Sequence, residues 1–192
     1  MGLKPYYRNR AILKLTSHPL VTVGQKRLLK LAIHLYKTNF DKLGRYFDFG
    51  TYHNAGAQWE HPTTKQIVCG TSGCAIGELP YLEENVWIFS DNAPILKDLY
   101  LRSHIDPVEF REENEIIPSI VEYSSLTWFK IKRKEYAHLF LPVRQNILAY
   151  GGKELGAGAT PQEVADNIII FLCVQLNLRY LLLDLKPYEH ES

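Results

Sequence analysis

The chain has 192 residues, 46% of them hydrophobic and 22% charged, with a formal net charge of +1. This balance excludes a disordered chain, which would be poor in apolar residues and rich in net charge, and the length suits one sizeable core rather than two. The longest apolar run, IIIFLCV at 168–174, is far short of the ~20 residues of a membrane span, and three cysteines do not make a disulfide framework.

The start of the chain has no apolar leader core followed by small residues, so no secretion signal and a cytoplasmic location are expected. Charge is unevenly placed. Residues 1–40 hold Lys4, Arg8, Arg10, Lys14, Lys26, Arg27, Lys30 and Lys37 and no Asp or Glu, which leaves 14 basic against 21 acidic residues over 41–192. A basic segment on an acidic body meets a phosphate backbone or an acidic protein, or folds back on its own chain.

In chain order, residues 1–22 carry Pro5, Pro19 and mixed periodicity, which predicts an irregular basic arm with a short helix near 9–15. Lys4, Arg8, Arg10 and Lys14 are its candidate partner-binding residues. Leu28, Leu31, Ala32 and Leu35 then recur at helical spacing and predict an amphipathic helix over 24–38, in which His34 reads as a surface or core residue. Residues 39–66 read as an aromatic-rich loop pinned by its rings. An exposed aromatic patch at 46–59 would favour a structural subunit of a virion or other assembly.

The stretch VCGTSGCAIGELP, 68–80, places Cys69 and Cys74 around Gly70, Thr71, Ser72 and Gly73. Thr71 or Ser72 is placed to cap a short helix GCAIGEL ending at or before Pro80. The candidate motif is Cys69, Gly70, Thr71, Cys74 and Gly77, and four readings stand side by side. Its small residues admit a close backbone, with cysteine as apolar filler. A helix N-terminus lowers a thiol pKa, so a nucleophile with His53 or His61 as base is a second reading. A zinc set of His53, His61, Cys69 and Cys74 has unusual spacing for that metal. A Cys69–Cys74 disulfide would be short and strained.

Residues 85–90, NVWIFS, read as a strand, and DNAPILKDLYLRS as a helix over 92–102 with Asp91 or Asn92 capping and Pro94 in its first turn. The acidic span 104–118 reads as a solvated face. Helices are expected over 119–129 and 132–141, the second stopped by Pro142. The loop YGGKELGAGAT lacks the spacing of a phosphate loop, and no Ser or Thr follows Lys153. Thr160, Pro161 and Glu163 form a capping-box signature opening a helix over 161–178, apolar all round and hence central. Cys173 reads as a small core residue within it.

The blocks RLLKLAIHLYKT, FDFGTYH, CGTSGCAIGEL, WFKIKRKEYAHLFLP and TPQEVADNIIIFL, in that order over about residues 27–172, resemble an uncharacterised group of small bacterial and phage-borne proteins with a CGTxxCxxG core motif. Tyr52 stands where that group often has tryptophan, and Glu78 where it often has histidine. The resemblance implies a mainly helical single domain and a phage or mobile-element origin, and it carries over no catalytic residue.

The expectation is therefore a mainly α fold with a few short strands, a single-domain helical globule over 23–182, flanked by the basic arm 1–22 and a tail 183–192. Its central helix is expected against those at 24–38, 119–129 and 132–141. The expected function is that of a non-enzymatic interaction or structural protein, without cofactor, metal or membrane partner. Its basic arm would contact an acidic protein or nucleic acid, within an oligomer or assembly and, for a phage product, in the host cytoplasm or virion. The alternative class is a thiol- or metal-dependent enzyme centred on Cys69 and Cys74.

Overall fold

The computed structural model describes residues 3–40, 42, 45–47, 54–60, 67–90, 93–105, 120–140 and 159–182. The fold is mainly α, with short strands. The expectations for Asp91 or Asn92, for most of the acidic span, for Pro142, for nearly all of the glycine-rich loop and for the tail lie outside these residues.

Two helices form the centre. α2 is Val23–Lys37, and α7, the last long helix, is Pro161–Gln175. Each opens with a capping box. Thr22 Oγ1 accepts from the Gln25 N–H at 3.3 Å and Gln25 Oε1 accepts from the Thr22 N–H at 2.9 Å. Thr160 and Glu163 repeat the exchange at 3.2 and 3.0 Å. Two orphan N–H groups are satisfied at each start. Leu28, Leu31, Ala32 and Leu35 of α2 meet Val164, Ala165, Ile168, Ile169 and Leu172 of α7 in one buried core. α7 ends in a Schellman turn: Asn177 is left-handed at φ 56, and the Leu178 N–H reaches Cys173 O at 2.7 Å.

The N-terminal segment differs from the expected irregular arm. Pro5–Ser17 is a continuous helix, α1, with Ala11 and Leu15 buried against α7. Pro5 fits the first turn because that N–H has no intrahelical partner in any case. The mixed periodicity arises because one inward position is Arg8, whose burial depends on a distant partner described below.

The central motif differs too. Ile67–Gly73 is strand β3, in the middle of a three-stranded sheet ordered β1-β3-β2. β1 (Arg45–Phe47) runs parallel to it and β2 (Asn54–Glu60) antiparallel, with a bulge at Ala55/Ala57. Backbone bonding to strands on both sides overrides the weak strand preference of Gly and Ser. Helical winding begins only at Ile76–Glu78, a tight 3₁₀ turn that leads into α3, Leu79–Leu82. Pro80 therefore opens that helix instead of ending it. Parts of the stretch expected as loop are thus β1 and β2, and Phe47 is buried edge-on against Phe40 at 5.5 Å.

A hairpin follows, β4 (Trp87–Ser90) with β5 (Ala93–Leu96). The helix expected from 92 starts only at Lys97 and runs as α4 to Ile105. Pro94 lies on β5 opposite Phe89. α5 (Ile120–Phe129) packs chiefly on α2, β5 and α6 (Arg133–Phe140), with Ser124 Oγ accepting from the Leu96 N–H at 3.3 Å. Its expected main contact with the last helix gives way to these. α6, Arg133–Phe140, does pack on α7. No helix among the described residues is long and apolar enough to cross a membrane.

Candidate functional site

α1 turns two different faces to its surroundings, and one carboxylate decides which is which. Asp166 sits in the apolar body of α7 and is 3% exposed. Its Oδ2 accepts from the Leu3 N–H at 2.7 Å and its Oδ1 from Arg8 Nε–H at 3.3 Å, and Tyr36 of α2 donates its hydroxyl to Oδ1. The Arg8 guanidinium lies 4.2 Å from the centre of the Tyr36 ring and also donates to Leu3 O. Such a buried charge is tolerable only when paired and hydrogen-bonded. Here three donors converge on it, two from the N-terminal segment and one from α2, so α1 is pinned to α2 and α7.

Burial raises the Tyr36 pKa far above the usual phenol range, and the hydrogen bond and negative charge of Asp166 raise it further, against a smaller opposing effect of Arg8. The sign of the linkage follows. Below about pH 10 both native and unfolded states hold the proton; above it the unfolded chain ionises and the native state does not. Stability is then lost as pH rises, with a limiting slope of about 1.4 kcal/mol per unit. Tyr36→Phe, which cannot ionise, is expected to be less stable than the parent at pH 9, with the gap narrowing by pH 11. Urea unfolding at both pH values checks this, and parallel losses in the two proteins would contradict it.

With Arg8 turned inward, the four candidate partner-binding residues separate. Arg8 is occupied by Asp166 and Tyr36. Lys4 is exposed at the N-cap. Arg10 and Lys14 lie on the opposite side of α1, exposed, one helical turn apart. At about 100° per residue they share that side with Tyr6, 69% exposed, and Leu13, 73% exposed. Sequence reasoning named the cations of this segment and did not single out these two apolar members. Further cations of the first 40 residues are also engaged. Lys30 meets Glu83 at 2.6 Å, and Arg27 stacks 3.5 Å from the Trp128 ring centre and donates to Trp128 O at 2.7 Å.

The CGTxxC motif is assembled differently. Cys69, Gly70 and Thr71 lie on β3, while Cys74 and Gly77 follow it into the core. An extended strand from Cys69 to Gly73 sets those α-carbons about 13 Å apart. One further residue returns at most 3.8 Å, so Cys69 and Cys74 stay beyond the ~7 Å that a disulfide needs. Cys74 is buried, 2% exposed. His53 and His61 lie outside the described residues, and the described residues contain no group of three metal-ligating side chains. Cys173 is buried as well, and desolvation pushes its thiol up to about 11, away from the range of a nucleophile at neutral pH.

One polar pair lies beside the motif. His34 Nε2 stands 2.9 Å from Oε2 of the buried Glu78. The Thr38 hydroxyl lies 3.3 Å from the same nitrogen and donates to His34 O at 2.8 Å. Glu78 thus meets a histidine from α2. The pair ties the turn after β3 to the central helix.

No family model, curated protein or solved structure matches this chain.

Proposed function

We propose that this chain is a non-enzymatic interaction protein that presents the outer face of α1 to an acidic partner. The observation that carries the reading is the division of α1. Its inner face is fixed by Asp166, while Arg10 and Lys14 stand exposed on the other side, in a 40-residue stretch with no acidic residue. A rigid, charged helix face gives steering and orientation to an encounter without ordering a loose arm on binding. Burial of Cys74 and the high pKa of Cys173 weigh against either of these two thiols as a nucleophile, which must be both accessible and ionised.

Fluorescence anisotropy with labelled polyglutamate at low salt tests the reading. The double substitution Arg10→Glu, Lys14→Glu is expected to weaken binding by at least about tenfold. Both sites are exposed, so the melting temperature should be nearly unchanged. Binding that survives the double reversal undiminished would remove the proposal.

A further inference from the structure

We infer that the outer face of α1 receives an amphipathic acidic helix of a partner protein, an inference that rests on the interaction role proposed above and names the partner's class. Tyr6, Arg10, Leu13 and Ser17 follow one another at spacings of four, three and four, so they form a single stripe, with Lys14 on its flank. The stripe is about 17 Å long at 1.5 Å per residue, the length of three helical turns. Its two large apolar members, Tyr6 and Leu13, are 69% and 73% exposed, with the cation Arg10 between them and Lys14 beside the stripe.

This mixture discriminates between partners. Two phosphate contacts give a salt slope no steeper than about −1.8 on duplex DNA, whereas strong nucleic-acid binders make about six to ten such contacts. Leu13 would also be set against phosphates, to which an aliphatic group offers nothing. A helix with an apolar stripe bordered by carboxylates satisfies every member. Its apolar side chains cover Tyr6 and Leu13, and its acids meet Arg10 and Lys14 in charge-assisted hydrogen bonds. A second copy of this chain does not fit the same face. Two-fold docking would bring Arg10 and Lys14 against a second Arg10 and Lys14, a juxtaposition of like charges.

The test uses the full chain and three labelled probes read by anisotropy. The first is a three-turn peptide with leucines along one stripe, flanked by glutamates. The second has the same composition scrambled to break the stripe, and the third is a duplex DNA of about 20 base pairs. The patterned peptide is expected to bind at least about tenfold more tightly than either other probe, and Leu13→Asn to reduce that advantage by about tenfold while leaving the melting temperature in place. Equal binding of the two peptides, no effect of Leu13→Asn, or tightest binding to DNA overturns the inference. If the peptides bind equally yet Arg10→Glu, Lys14→Glu abolishes binding, the interaction role stands and only the partner class falls. If that double reversal changes nothing for any probe, both fall.

Discussion

Replacing Asp166 by alanine should lower the free energy of unfolding by about 3 kcal/mol, the lower end of the range for removing one partner of a buried ion pair. The lower end applies because Arg8 keeps 22% of its side chain exposed and recovers some solvation once released. The Leu3 N–H and the Tyr36 hydroxyl lose their acceptor at the same time. For a chain of this size the loss corresponds to a fall of roughly 6–12 °C in melting temperature. Asp166→Asn keeps an acceptor oxygen and should lose less. The loss should also be local: with its anchor gone, α1 retains only Ala11, Leu15 and their neighbours to hold it down. Limited trypsin digestion is then expected to cut first after Arg10 or Lys14, ahead of sites in α2. A melting temperature within about 2 °C of the parent would show that the Asp166 cluster contributes little.

That cluster also explains why the candidate site was only partly legible in the sequence. The excess of positive charge before residue 41 was plain, but not its division. Arg8 and Arg10 are two residues apart and look alike in a one-dimensional reading. Helical geometry turns them to opposite sides, and the choice of which faces inward is made by a carboxylate 158 positions away. A signal was present in VADNIIIFLCV, where Asp166 interrupts an apolar helix and requires a donor from elsewhere. The identity of that donor depends on tertiary contact.

The fold divides along the same line between local and non-local causes. α2, α5, α6 and α7 were legible because apolar periodicity and caps are written within each helix, down to the Thr160–Glu163 box. The end of α7 was placed slightly late, since Asn177 was not read as the left-handed residue that closes it. β3 was missed because its helix-like cues, Thr71 and Ser72 before an apolar run, are local, whereas its strand state comes from β1 and β2. β5 was absorbed into the following helix because proline is as acceptable in a first helical turn as on a strand that does not need its N–H. The Glu78–His34 pair joins two segments 44 positions apart, and neither residue announces the other.

Gly24→Ala should destabilise the protein by about 2 kcal/mol, even though alanine is the better helix former by about 1 kcal/mol. Gly24 lies in the first turn of α2, where that helix meets the end of α5. A β-carbon there would sit 1.9 Å from Phe129 O and 2.6 Å from Phe129 C. The obstacle is backbone, so no rotamer change relieves it. The carbonyl is also held in place from several sides. Arg27 grips the preceding carbonyl, Trp128 O, at 2.7 Å. Lys130 is left-handed at φ 55, and the Ile131 N–H reaches Leu126 O at 3.4 Å in the long-range bond of a Schellman turn. Relief therefore requires α2 and α5 to move apart, with strain near the upper end of the usual 1–3 kcal/mol for overpacking, from which the helix-propensity gain is subtracted. The expected fall in melting temperature is about 4–8 °C. A control on the exposed face of the same helix separates the two effects: Lys26→Ala, with no such contact, should change stability by no more than about 0.5 kcal/mol. A Gly24→Ala protein as stable as the parent would mean that the two helices do not approach as closely as the Phe129 carbonyl requires.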